Sequence, residues 1–216
     1  MKQFAVIGLG RFGTSVASNL FQQGYDVLAI DVSEERTQKF SDEATHVVQA
    51  DSTNESALKA LGIRNFDVVV VAIGEDVQAN VMTTLLLKEL GVPYVVAKAR
   101  NSVHGRMLEK IGADKVVYPE RDMGVRIAHN IISRNVLDYI ELSPNLSIVE
   151  VTAPKELINK TLVQANLRPR YGINVVAIKR GDNLNVSPKA EDIILEDDIL
   201  VVIGGNNGIQ SLEAME

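Results

Sequence analysis

The first 118 residues alternate short apolar runs with segments long enough to be helices, and few folds accommodate that rhythm. The runs are residues 4–8, 27–31, 46–50, 68–72, 94–98 and 115–118. Each is rich in Val and Ile and continuously apolar, without the polar alternation of a strand that faces water on one side. That is the signature of parallel strands buried on both faces. The intervening segments of about 8 to 15 residues are helix candidates, so the region reads as repeated βα units. The fold class expected is α/β, a Rossmann-like doubly wound parallel sheet.

After residue 118 the rhythm changes. Residues 119–138 place Met123, Ile127, Ile131 and Val136 near one helical face behind Pro119, which predicts a helical connection. Residues 139–216 carry shorter strand-like runs, "SIVEVTA", "INVVAIKRGDNLNV" and "DDILVVIGG", with "RGDN" as a hairpin turn. The expected organisation is a nucleotide-binding domain over 1–118, a connecting helix over 119–138 and a small α+β domain over 139–216. A domain this small gains burial from a partner or a second copy.

The first strand runs into "GLGRFG", with Gly8, Gly10 and Gly13 in G-x-G-x-x-G spacing and a helix following. Strand before and helix after are the context that gives this motif meaning. Gly8 permits a tight turn, Gly10 lets backbone approach a phosphate, and Gly13 allows close helix–strand packing. The helix N-terminus supplies free N–H groups and partial positive charge. Asp31 closes the second strand, where a carboxylate can bind ribose hydroxyls and would repel a 2′-phosphate. Arg11 stands inside the loop and can fork onto terminal phosphate oxygens, which NAD lacks. By the switch-point rule the other strand ends line the same crevice: Asp51 and Ser52, then Ile73, Gly74 and Glu75, then Lys98, Ala99 and Arg100.

Composition narrows the function. With a formal net charge of −6, the chain is ill suited to nucleic acid or an anionic membrane surface. It has no Cys, and His46, His104 and His129 lie far apart, which leaves little for a disulfide framework or a zinc site. No apolar stretch approaches the ~18 residues of a membrane span, and strand-like sequence begins at Gln3, so a cytoplasmic protein is expected. Residues 139–216 contain no His and no cluster suited to acid–base chemistry. A nucleotide site without a substrate site points to a nucleotide that acts as a signal, not to an enzyme.

The stretches "FAVIGLGRFG", "DSTNESALKALGIRNFDVVVVAIG", "LLLKELGV", "KIGADKVVYPERDMG" and "YGINVVAIKRG" together resemble the RCK regulatory subunits of Ktr-type bacterial potassium transporters, over essentially the whole chain. The resemblance implies a Rossmann-like RCK domain, a connecting helix and a C-terminal RCK domain of TrkA-C type. It implies a dimer-based octameric ring docked under a membrane-embedded potassium-translocating subunit, and hence a cytoplasmic protein peripheral to the membrane. The family pocket for ATP and ADP falls on Gly8, Gly10, Arg11, Phe12, Gly13, Asp31, Val32, Asp51, Ser52, Ile73, Gly74, Glu75, Lys98, Ala99, Arg100 and Glu120. Within it Arg11 meets the γ-phosphate, and Glu120 helps hold Mg or another cation beside it. Some members bind cyclic di-AMP between paired C-terminal domains, at positions matching Leu167, Arg168, Asn174, Val175 and Pro188. An NAD(H)-binding Trk-type regulator shares this fold and is the alternative reading.

Overall fold

The computed structural model describes residues 2–132, 136–143 and 145–215. Its backbone divides into two compact units, 1–120 and 121–216.

In the first unit the apolar runs form β1 (Gln3–Ile7), β2 (Asp26–Asp31), β3 (His46–Gln49), β4 (Val68–Val71), β5 (Val95–Lys98) and β6 (Lys115–Val117). Helices α1 (Arg11–Gln22), α2 (Glu34–Lys39), α3 (Glu55–Ala60), α4 (Val77–Glu89) and α5 (Ser102–Lys110) lie between them in sequence. Helices α2 and α3 are shorter than expected, at six residues each. The sheet order is β3-β2-β1-β4-β5-β6, every pairing parallel. The strands explain their own composition. Ala5, Ile7, Leu28, Ile30, Val69 and Val71 join one core, while their neighbours Val6, Val27, Ala29 and Val70 join another. Successive side chains leave a strand on opposite faces, and with both faces covered both sets must be apolar. The order reverses between β1 and β4, whose register runs from Phe4↔Val68 to Ile7↔Val71, so the carboxyl ends of these two strands open the crevice.

Helix α6 (Pro119–Ile132) starts on Pro119, where a missing N–H costs nothing. The helix expected over 119–138 is corrected here. It ends at Ile132, and Val136 opens a strand, β7 (Val136–Ser143). Residues 133–135 of that expectation lie outside the described residues. "VLDYIELS" becomes a strand because β8 (Leu146–Thr152) pairs antiparallel with it from Val136↔Val151 to Ser143↔Leu146. Long-range pairing outweighs a local helical period.

The second unit continues with α7 (Leu162–Ala165), α8 (Leu167–Tyr171), β9 (Ile173–Arg180), β10 (Asn183–Asn185), β11 (Ile199–Gly205) and α9 (Asn206–Glu213). Its five strands run β10-β9-β11-β8-β7 and are antiparallel throughout. Along β8 and β11 burial alternates, and Val149, Val151, Leu200 and Val202 enter one core with Ile173, Ile209 and Leu212. The "RGDN" hairpin joins β9 to β10 as expected. Among the described residues no helix is long and apolar enough to cross a membrane.

One buried charge closes this unit. Asp198, fully buried, accepts from Arg180 Nε at 2.7 Å, Arg180 Nη2 at 2.8 Å and the Leu195 N–H at 2.8 Å. Burial by itself pushes the Asp198 carboxyl up. The Arg180 fork, the Leu195 N–H and the Arg180 charge outweigh that and hold it below the ordinary 3.8. A carboxyl lowered in the folded state stabilises above its unfolded value, and the stabilisation is lost as pH falls through the folded one. Asp198→Asn is therefore expected to melt below wild type at pH 7. The gap should close as pH drops below 3.8, as followed by circular dichroism. A gap of constant size across that range would show that the charge contributes nothing.

Candidate functional site

The glycine loop between β1 and α1 is shaped by close backbone contact. Gly8 adopts φ +99, and a Cβ there would lie 2.9 Å from the Ile73 backbone nitrogen. A Cβ on Gly13 would stand 1.8 Å from the Gly8 carbonyl oxygen, so only glycine lets α1 begin this close to the strand. Gly10 differs: nothing lies within 4 Å of its Cβ position, and it caps α1 with no side chain bonded to the free N–H groups. Open space over unpaired helix N–H groups is what an incoming phosphate requires.

Asp31 is buried at the end of β2. Its Oδ2 accepts the Leu9 N–H at 2.6 Å and its Oδ1 the Ser33 N–H at 2.8 Å, while Arg36 Nη1 stands 3.6 Å from Oδ2. The carboxylate thus ties the glycine loop to the turn after β2, and each oxygen keeps a second lone pair for a ribose hydroxyl. Val32, beside it, is exposed.

The ends of β4, β5 and β6 converge on one ammonium group. Lys98 Nζ donates to Glu120 Oε1 at 2.5 Å, stands 5.7 Å above the Phe12 ring, and lies 3.3 Å from where Gly74 would carry a Cβ. The Lys98 hydrogen bond, aided by the charges of Lys98 and Arg11, holds the Glu120 carboxyl below the usual carboxylate range. Arg11 is exposed at the first position of α1. Arg100 Nη1 donates to the Glu75 carbonyl at 3.2 Å, and the Ala99 N–H to the Val117 carbonyl at 2.8 Å, fastening neighbouring strand ends. Gly8 thus packs on Ile73, and Lys98 lies beside both Gly74 and Glu120.

Asp51 and Ser52 are placed differently. Asp51 Oδ1 accepts from Thr53 N–H at 2.9 Å and Thr53 Oγ1 at 2.7 Å, bonds that lower its pKa and occupy it in its own turn. Ser52 is buried against Thr83 Oγ1 at 2.8 Å. In the second unit, Arg168 and Asn174 are exposed, Val175 and Pro188 are half-buried, and Leu167 belongs to the core.

The motif reading missed Asn80. It is fully buried in α4 and donates from Nδ2 to the carbonyls of Ile73 at 2.7 Å and Lys98 at 3.1 Å, joining the ends of β4 and β5. Its Oδ1 has no protein partner among the described residues. The available signal was an Asn inside "VQANVMTTLLLKE", a polar amide in an apolar helix interior where it has poor propensity.

A family model for the TrkA-N domain matches residues 4–119, and one for the TrkA-C domain matches residues 146–215. The Ktr system potassium uptake protein C of Bacillus subtilis (strain 168) is 53% identical over 212 residues, 98% of this chain and 96% of the relative. Among solved structures, the GsuK channel bound to NAD has the same fold, at 19% identity and a TM-score of 0.70 over 99% of this chain and 39% of that one. The GsuK structure bound to ADP matches at 27% identity and a TM-score of 0.53, over 61% of this chain and 34% of that one.

Asp31→Ala removes the acceptor of two backbone donors, one of them buried. It should lower unfolding free energy by about 1–3 kcal/mol without any nucleotide present, read by urea denaturation. Unchanged stability would mean that water replaces the carboxylate at no cost.

Proposed function

Because this chain belongs to the TrkA/Ktr family of potassium-uptake proteins, with a TrkA-N and a TrkA-C domain in that order, we propose that it is the nucleotide-gated regulatory subunit of a potassium transporter. ATP and ADP are the switching ligands, and the controlled element is a membrane-embedded translocating subunit. The protein is then a cytoplasmic regulator peripheral to the membrane, and not an enzyme. Residues 1–118 bind nucleotide, 119–132 connect, and the sheet that begins at Val136 forms the C-terminal regulatory domain.

The observation that carries this reading is the gathering of Arg11, Lys98 and Glu120 at the rim of a glycine-loop crevice. The α1 N-terminus suits the inner phosphates, which ATP and ADP share. Two cationic side chains beyond it suit a further phosphate that only ATP carries. Glu120 would face that phosphate across a cation, Mg or another. Among the described residues no three His, Cys, Asp or Glu side chains gather as a ready metal site, so the cation would take phosphate oxygens and water besides Glu120. A ligand moves such a switch only through its different affinity for the two states.

The subunits assemble as a dimer-based octameric ring. Met123, Ile127 and Ile131 support this: they recur every four residues on α6 and are 51%, 51% and 77% exposed, an apolar stripe that invites a second copy. The second reading, an NAD(H)-binding Trk-type regulator, draws on the GsuK channel bound to NAD. Calorimetric preference for NADH over ATP and ADP would establish it in place of the first.

The C-terminal domain is further proposed to bind cyclic di-AMP between two copies. Exposed Arg168 and Asn174, with half-buried Val175 and Pro188, contact the ligand, while buried Leu167 holds α8 in place. Pro169 does not disturb α8, because it lies in the first turn, where a backbone N–H has no helical partner.

Arg11→Ala should weaken ATP by roughly tenfold or more, the worth of a charge-assisted contact, and ADP much less. Paired calorimetric titrations read this, and equal losses would assign Arg11 to the inner phosphates. Arg168→Ala should weaken cyclic di-AMP and leave ATP affinity unchanged. Retained cyclic di-AMP affinity in equilibrium dialysis would remove Arg168 from that site.

A further inference from the structure

Helix α5 carries a glycine in its fourth position, Gly105, where propensity argues against one. The reason lies outside the helix. A Cβ on Gly105 would fall 1.7 Å from Tyr118 Oη, 2.6 Å from Cζ and 3.1 Å from Cε1. The tyrosine ring is seated in a notch that any side chain would fill. Tyr118 directly follows β6, whose end is fastened by the Ala99 N–H to the Val117 carbonyl at 2.8 Å. Two residues further on, Glu120 meets Lys98. The preceding residue of the same helix, buried His104, accepts the Arg100 N–H on Nδ1 at 3.3 Å, and its own N–H is capped by Asn101 Oδ1 at 2.9 Å. The first turns of α5 thus brace the backbone that carries Arg100 and the residue that leads into Glu120.

We propose that Gly105 and Tyr118 are positioning residues, a notch and the ring seated in it, that hold Glu120 against Lys98 and so set how the crevice reads a terminal phosphate. The proposal rests on the nucleotide-switch reading for its consequence, but not for its geometry. Neither residue belongs to the glycine loop or to the charged rim. Their influence passes through the chain from 118 to 120. A methyl group on Gly105 displaces the ring, because a contact of 1.7 Å is far inside van der Waals distance and helix backbone stands behind the notch. The Lys98–Glu120 pair, closed at 2.5 Å, depends on where that segment enters α6. Inner phosphates, held at the α1 N-terminus, do not depend on it.

The test uses the full chain in two variants. Gly105→Ala fills the notch, and Tyr118→Leu empties it while keeping an apolar side chain, so the second remains informative if the first folds poorly. Crystal structures of both without nucleotide are expected to show Lys98 Nζ and Glu120 Oε1 parted beyond hydrogen-bond distance. ATP and ADP titrations are expected to show ATP weakened roughly tenfold with ADP within about twofold of wild type. The double variant should be no worse than Tyr118→Leu alone, since a methyl group costs nothing in an empty notch. An intact Lys98–Glu120 pair in the variants overturns the proposal. So does a fall in melting temperature with equal losses for both nucleotides, which marks a purely structural role. A parted pair with both affinities unchanged upholds the positioning and removes Glu120 from the nucleotide switch.

Discussion

The approach of helix α1 to strand β1 governs the first unit. At Gly13 the helix comes so near that a Cβ would lie 1.8 Å from the carbonyl oxygen of Gly8, and Gly8 itself turns through φ +99 against the backbone of Ile73. Two side chains fewer allow the helix N-terminus to point into the crevice between β1 and β4. Its unpaired N–H groups then become an anion site without any basic side chain being spent on the inner phosphates. Asp31 braces the loop from the other side by accepting the Leu9 N–H.

The charged residues beside the loop are bound into contacts of their own. Lys98 combines three constraints: a carboxylate partner in Glu120, an aromatic face in Phe12 and the bare backbone of Gly74. Each comes from a different part of the chain, Glu120 from α6, Phe12 from α1 and Gly74 from the turn after β4, so movement of any one alters the setting of the ammonium group. Arg11, Lys98 and Arg100 stand at the carboxyl edge of the sheet beside the acids Asp31, Glu75 and Glu120, so the site sets cations and carboxylates side by side. The proposed nucleotide would meet these cations with its phosphates.

Much of this was legible in the chain. The continuous Val- and Ile-rich runs identified six parallel strands because burial on both faces leaves no polar positions to obscure the pattern. The β9–β10 hairpin of the second half was readable from its "RGDN" turn. The one error has a long-range origin. Residues 136–138 were assigned to a helix because their period continued that of α6, whereas β8 supplies hydrogen-bond partners from a later part of the chain.

Local sequence by itself determined which segments become strands, where the glycine loop lies and which acids and bases stand near it. These depend on side-chain polarity and on glycine's freedom at neighbouring positions. Tertiary structure alone decided which polar groups are already engaged. Asp31 and Asp51 read alike as acids at strand ends. One is buried and staples the glycine loop from 22 residues away, while the other bonds Thr53 in its own turn. Asn80 and Gly105 carried no motif at all. Their purposes appear only when α4 is laid against the ends of β4 and β5, and α5 against Tyr118. Hydrogen-bond satisfaction and steric exclusion act over a few ångströms in space, and no spacing along the chain encodes which distant atoms will occupy them.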